Sequence, residues 1–356
     1  MSLAVVLGVR PHYVKAVALT ELLSQAQIDF RLLDVQQHFD QGLRQQFIAE
    51  YGLNVVELNP NAVAGASPAQ ELARQISALD QWLNSTPQGP TTQGLLVLGD
   101  ANPALAGAIV ANRHALPLVH LEAGVRRTGV EFEHWNSLLT DMMATQRYCY
   151  TQRDVERLRQ EGLGNQSWCV GDVCASWLLR MVAKIPAPSQ ASPPYVLVTL
   201  HRPQNCSVDT VTTISHALDA LSYRQIWIVH PRLRPFVHDL SDRNQITLLD
   251  PQTHSALLRL LVGAALVLTD SGGLVRESVI LGKRAIVCHE NGMWTQLVEL
   301  NAIARADNTL ASLSQAINSA LTTIDPLRGA SVFILPGGEA LFKERLVALL
   351  EGNGGG

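Results

Sequence analysis

Short, wholly apolar runs alternate with stretches of helical spacing along most of the chain. Residues 3–7 are apolar throughout and stop at Gly8; Pro11 then fits the first turn of a helix whose Val14, Val17, Ala18, Leu22 and Leu23 recur at helical intervals. A second strand over residues 30–35 ends at Gln36, Gln37 and His38 and leads into a helix over roughly 41–51. Residues 60–68 read as loop and 69–83 as a long amphipathic helix, closed by the loop STPQGPTTQG. Residues 95–98 form the next apolar strand, closing on Gly99 and Asp100; a helix over about 103–113 follows, and the strand over 117–121 closes on Glu122.

The regularity lapses over residues 184–194, KIPAPSQASPP, which hold four prolines and no period, and this is the expected linker. Beyond it, strands near 195–200, 225–230, 245–249, 266–269 and 284–288 alternate with helices near 208–221, 253–263, 273–281 and 309–322. Apolar strands alternating with helices specify parallel sheets covered on both faces. The expected fold is α/β, with two doubly wound Rossmann-like domains, residues 1–183 and 195–337, facing a central cleft. A last helix within residues 338–352 is expected to pack back on the first domain, and the GNGGG tail to be disordered.

Composition narrows the partners. A length of 356 residues with 47% hydrophobic content suits two buried cores, and a net charge of −4 gives no basic excess for nucleic acid or an anionic membrane. No apolar run approaches 18 residues and the N-terminus enters a strand without a basic leader, so a cytosolic protein is expected. The five cysteines contain no CxxC pair and read as buried thiols, with no metal site implied. Neither GxGxxG after the first strand nor GxxxxGK[ST] is present, so dinucleotide redox and P-loop chemistry lack their hallmarks.

In doubly wound sheets the ligand crevice lies beyond the strand C-termini, and Arg10, His38, Asp100 and Glu122 accumulate there. Asp100 and Glu122 follow what should be adjacent parallel strands, and crowded carboxylates suit general acid and base roles. Structural roles stay open for both: Asp100 as a helix cap, Glu122 as partner of Arg126 or Arg127. Glu131 and Glu133 precede or open the helix at Trp135, where an acid also complements the helix dipole. Lys15 is either a phosphate or carboxylate partner or a solvated helix residue. His201 with Arg202, and His230 with Arg232, end strands of the second half and add cationic donors. In TDSGG, the turn Ser271, Gly272, Gly273 opens a helix; it reads either as an anion cradle or as a plain turn with Ser271 as N-cap.

Taken together, these stretches resemble the non-hydrolysing UDP-N-acetylglucosamine 2-epimerase family. The matching residues are GVRPHYVK at 8–15, QH at 37–38, GD at 99–100, HLEAG at 120–124, Asn136 with Asp141, HR with Asn205, HPR at 230–232, and TDSGG with Glu277, in the family's order along nearly the whole chain. The resemblance implies a UDP-epimerase or GT-B-like fold and a homodimer. It implies elimination of UDP from a nucleotide-sugar through C2 proton abstraction, then re-addition with C2 inverted, and no redox cofactor. Carried over by position, Asp100, Glu122 and Glu133 are acid/base carboxylates and His201 a cation near the leaving diphosphate. Arg10, Lys15, His38, Arg202, His230 and the Ser271, Gly272, Gly273 turn hold the diphosphate and sugar, with Glu277 on the uridine ribose.

The departures from the family pattern are specific. Its ERPE segment reads Met293, Trp294, Thr295, Gln296 here; His134 and Ser137 replace a Glu and an Arg; His12, Asp172, Ser176 and Gln204 are further changes. They keep two other outcomes open: a hydrolysing enzyme that releases free sugar and UDP, and a paralogue that binds a nucleotide-sugar without turnover.

Overall fold

The computed structural model describes residues 2–36, 41–58, 66–85, 92–126, 132–186, 193–240, 243–288 and 294–352. Contacts divide the chain into two compact units, Met1–Cys174 with Ile334–Gly356, and Ala175–Phe333.

The first unit runs β1 (Ser2–Leu7), α1 (Arg10–Gln25), β2 (Asp29–Asp34), α2 (Gln41–Tyr51), β3 (Val55–Glu57), α3 (Pro68–Ser85), β4 (Gly94–Leu98), α4 (Asn102–Arg113), β5 (Leu118–Leu121), α5 (Phe132–Met143), β6 (Gln146–Cys149), α6 (Gln152–Gln160) and β7 (Ser167–Cys169). Its strands form a parallel sheet in the order β3-β2-β1-β4-β5-β6-β7. β1 and β4 are buried at every position, as central strands covered on both faces must be. Val6, Leu33, Val97 and Leu118 pack with Ala104 and Ala108 of α4 in one core layer.

The second unit runs α7 (Ala175–Ala183), β8 (Tyr195–Leu200), α8 (Val208–Asp219), β9 (Arg224–Val229), β10 (Ile246–Leu249), α9 (His254–Gly263), β11 (Leu266–Thr269), α10 (Gly272–Ile280), β12 (Ala285–Cys288), α11 (Thr295–Glu299), β13 (Ala304–Ala306), α12 (Leu310–Thr322) and α13 (Pro326–Phe333). Its parallel sheet has the order β10-β9-β8-β11-β12-β13. Fully buried Trp227 packs among Leu200, Val229, Leu268 and Ile286, and truncating such a side chain costs about 3–5 kcal/mol.

Residues 175–183 fall within the expected first domain, 1–183; they form α7, whose Trp177 and Leu178 are buried and which packs on α9 and α10, so by contacts it groups with the second unit. Within the expected linker, residues 187–192 lie outside the described residues, as do residues 353–356 of the tail. The last helix, α14 (Gly338–Leu350), returns to the first unit. There Phe342 meets Tyr148 edge-on at 4.9 Å, and Gln146 Nε2 donates to the Arg345 carbonyl at 3.1 Å. A Cβ at Gly338 would lie 2.0 Å from the Val170 carbonyl oxygen, so only glycine permits this approach.

In each sheet the strand order reverses direction once, between β1 and β4 and between β8 and β11. At such a switch point the following loops part, and the crevice between them is where doubly wound folds bind ligands. Arg10 and Asp100 follow the two switch strands of the first unit, and His201 and Asp270 those of the second.

Candidate active site

Strands β4 and β5 are parallel neighbours with Leu98 opposite Leu121, so Gly99–Asp100 and Glu122 leave the sheet side by side. Both turns are unusual: Gly99 has φ +66° and Glu122 φ +69°. A glutamate in the left-handed region is strained and persists only where its surroundings hold it. Gly99 N donates to Leu121 O at 3.0 Å, and Ala123 N to Tyr148 O at 3.1 Å. The Glu122 carboxylate forms an ion pair with Lys15 of α1, and both side chains are largely buried. Its other oxygen lies 3.3 Å from where a Cβ on Gly99 would be, so the glycine makes the space the carboxylate fills. Lys15 and Glu122 line a small recess with Leu98, Tyr150, Asp172 and Cys174.

A buried polar chain lies behind these turns. His120 Nδ1 is 2.7 Å from Asp141 Oδ1, and its Nε2 is 2.9 Å from the Gly99 carbonyl oxygen. Asp141 also accepts from Gly124 N at 3.1 Å and from Arg126 Nη1 at 2.6 Å. Both ring nitrogens of His120 therefore face oxygen atoms, one a carboxylate and one a backbone carbonyl. Burial pushes the Asp141 carboxyl up, but the charges and hydrogen bonds of His120 and Arg126 outweigh it and hold the group below the ordinary carboxylate range. The chain thus fastens the turn carrying Asp100 to the turn after Glu122.

In the second unit β8 and β11 are adjacent, with Thr199 opposite Thr269 and their hydroxyls 2.6 Å apart. Just beyond, fully buried Asp270 accepts from His201 N at 3.1 Å, Arg202 N at 2.9 Å, Asn205 Nδ2 at 2.9 Å and the His201 ring at Nδ1, 2.8 Å away. Burial raises the Asp270 carboxyl, yet the His201 bond and charge and the Asn205 and Arg202 bonds bring it below the ordinary range. The His230 ring lies 6.0 Å from that of His201, and Arg232 Nη1 donates to His201 O at 3.4 Å. Arg202 Nε donates to Asp270 O at 3.1 Å. Two imidazoles and two guanidinium groups thereby gather at one sheet end.

Several open alternatives now resolve. Ala101, not Asp100, stands at the N-cap position of α4. Lys15 is buried rather than solvated, and Glu122 pairs with it rather than with Arg126, which is bound to Asp141 and Glu161. Glu133 is half-buried in the first turn of α5, and Arg10 is exposed at the start of α1. Ser271 is the N-cap of α10, its Oγ accepting from Leu274 N at 3.4 Å. Capping uses the side chain and not the backbone N–H groups of Gly272 and Gly273, so the anion-cradle reading is compatible with it. Trp294 Nε1 donates to Gly272 O at 3.1 Å, tying the segment that departs from ERPE to this turn. Glu277 is buried, with His254 Nε2 at 3.4 Å and Arg276 Nη2 at 3.7 Å, and His254 stacks on Trp177. His38, Arg127, Glu131 and Met293 lie outside the described residues.

Two residues central to this geometry, His120 and Asp270, were not singled out from sequence. Both stood inside the quoted stretches HLEAG and TDSGG, and their signal was a polar residue in or just after an apolar strand. Among the described residues no cluster of three or more His, Cys, Asp and Glu side chains is placed to hold a metal ion, and no helix is long and apolar enough to cross a membrane.

The family model described as UDP-N-acetylglucosamine 2-epimerase matches residues 20–335. The chain is 27% identical over 316 residues to the UDP-2,3-diacetamido-2,3-dideoxy-D-glucuronate 2-epimerase of Pseudomonas aeruginosa, covering 85% of this chain and 87% of that protein. It is 26% identical over 340 residues to the UDP-N-acetylglucosamine 2-epimerase of Methanocaldococcus jannaschii, covering 89% and 91%. The crystal structure of UDP-GlcNAc 2-epimerase from Neisseria meningitidis bound to UDP-GlcNAc superposes with a TM-score of 0.83 at 19% identity, covering 98% of this chain and 100% of that one. This last likeness is one of fold, the two-domain GT-B-like α/β class.

Proposed function

The chain belongs to the UDP-N-acetylglucosamine 2-epimerase family, and from that premise we propose that it is a sugar-nucleotide 2-epimerase acting on UDP-N-acetylglucosamine or a close relative. The observation that carries the reading is the Lys15-paired carboxylate of Glu122, seated over Gly99 beside the strand that ends in Asp100. Such a carboxylate is fixed in direction by its cation, as a base aimed at a carbon-bound proton must be.

In the proposed reaction one carboxylate takes the C2 proton as the C1–O bond breaks and UDP departs, leaving a 2-acetamidoglucal. UDP then adds back to C1 while a second group returns a proton to the opposite face of C2. Asp100, Glu122 and Glu133 are the acid/base groups. The sequence is redox-neutral and calls for no redox cofactor. His201, Arg202, His230, Arg10 and the backbone N–H groups at Gly272 and Gly273 neutralise the departing diphosphate, where charge develops most. Glu277 serves the ribose by exchanging His254 for its hydroxyls.

The test is a product survey over UDP-, GDP- and CMP-sugars. The expected result is conversion of a 2-acetamido UDP-sugar to its C2 epimer with UDP retained. Trp294, standing where the family carries charged residues, favours the hydrolysing outcome as the second reading, and stoichiometric release of UDP and free sugar would select it. Binding of a UDP-sugar with neither product would replace both with a non-catalytic role.

A homodimer is part of the same reading. Helix α5 exposes Phe132, Trp135, Leu139 and Met142 at helical spacing, an apolar stripe suited to a self-complementary contact. Sedimentation at micromolar concentration should give the mass of two chains; a single-chain mass contradicts it.

A further inference from the structure

We propose that Asp270 is a positioning residue which, through Nδ1 of His201, fixes that ring so that Nε2 is the nitrogen offered to the departing diphosphate. The inference rests on the role proposed for His201. A carboxylate only accepts hydrogen bonds, so a proton must sit on Nδ1 in this pair, 2.8 Å from Asp270 Oδ1. Nε2 is then a lone-pair acceptor in the neutral ring and a donor in the imidazolium.

The surroundings favour positioning over simple packing. Asp270 is already bound by two backbone N–H groups, those of His201 and Arg202, and by Asn205 Nδ2. Asn205 is itself held, donating to Cys288 O at 3.0 Å and accepting from Asn308 Nδ2 at 2.9 Å. Asp270 therefore does not need the imidazole to be satisfied. Its fourth partner is a side chain 42% exposed, and ordering an exposed ring costs rotamer freedom without burying apolar surface. What the bond does secure is one tautomer and one direction. With the ring as imidazolium, Nε2–H donates to a diphosphate oxygen as the C1–O bond breaks, and the same bond is surrendered when UDP adds back.

The geometry spans the switch point of the sheet. β8 and β11 are adjacent in space but far apart in the chain, and the hydroxyl contact between Thr199 and Thr269 locks them two residues before His201 and one before Asp270. The direction of the His201 ring is thus set by the sheet rather than by a loop.

The experiment uses the full chain labelled with 15N-histidine. Two-bond 1H–15N spectra, taken at a pH where imidazoles are neutral and assigned with His201→Gln, should show wild-type His201 as the Nδ1–H tautomer. In Asp270→Asn the side-chain amide can donate to Nδ1, and the Nε2–H tautomer should gain. Turnover of a UDP-sugar should fall about 10²- to 10⁴-fold in that variant with KM changed less than about threefold, as expected for an imidazolium that has lost the carboxylate accepting from its Nδ1–H. An Nε2–H tautomer in the wild type overturns the inference, and so does a tautomer shift in Asp270→Asn with unchanged kcat. If Asp270→Asn fails to fold, the wild-type tautomer still decides. A wild type with the Nδ1–H tautomer but no turnover removes the epimerase reading and leaves the pair standing.

Discussion

His120–Asp141 in the first unit and His201–Asp270 in the second are the same pair of side chains at 2.7 and 2.8 Å, set in opposite surroundings. His120 lies inside β5, fully buried, with its second nitrogen on the Gly99 carbonyl. His201 lies just past β8, its side chain 42% exposed and its second nitrogen without a partner among the described residues. A ring bonded at both nitrogens can only hold the backbone around it. A ring bonded at one nitrogen is aimed, and its other nitrogen can serve a ligand. The difference separates what shapes the carboxylate site from what meets a substrate, although residue types alone would class the pairs together.

That contrast is most sharply broken by exchanging the two histidine roles. His201→Gln should lower kcat about 10²- to 10⁴-fold, about 3–5 kcal/mol in the barrier, while the unfolding temperature barely moves. Asp141→Asn should do the reverse. It leaves Arg126 without its buried counter-charge and His120 without its carboxylate partner, at a cost of about 3–5 kcal/mol and roughly 6–20 °C in unfolding temperature. The surviving folded protein should keep kcat within about tenfold. Parallel thermal melts and rate assays decide, and a stable Asp141→Asn protein without turnover would erase the distinction.

Acid unfolding sharpens the same point. Asp141 is held below the ordinary carboxylate range in the folded chain, so unfolding takes up a proton there and stability rises with pH. Its contribution is complete above the unfolded value of about 4 and declines as pH falls through the lower folded value. The stability gap between wild type and Asp141→Asn should therefore narrow below about pH 4, as read from denaturant midpoints across pH 3–6. The smallest effect is expected at Gly99→Ala. The left-handed backbone costs about 1–2 kcal/mol and the added methyl crowds Glu122, so turnover should drop about tenfold in rate assays.

Most of the architecture could be read from the chain because its central strands are apolar throughout and bounded by Gly, Pro or a polar residue. β3, β7 and β13 escaped because three residues carry no period. β6 escaped for a different reason: its Gln146 and Arg147 are buried polar residues, satisfied by Tyr148 OH and by the Asp141 carbonyl. Helix α6 is mostly polar, with only Val155 and Leu158 as buried apolar anchors. At the site, the acids and cations were legible one by one as strand-end residues. Their pairings were not, since Lys15 meets Glu122 and His201 meets Asp270 across a sheet whose neighbours are remote in sequence. The pairing information lies in strand order, which periodicity does not encode.

The central claim, that the strand-end carboxylates of the first unit move the C2 proton of a UDP-sugar, is tested most directly by solvent exchange. Wild-type protein and Asp100→Asn are incubated with UDP-N-acetylglucosamine in deuterated water and followed by proton NMR at C2. The expected result is deuterium at C2 with the wild type, and none with Asp100→Asn although its affinity for UDP is retained. Loss of the C2 signal at equal rates in both proteins, or no exchange by the wild type with any 2-acetamido UDP-sugar, would contradict it.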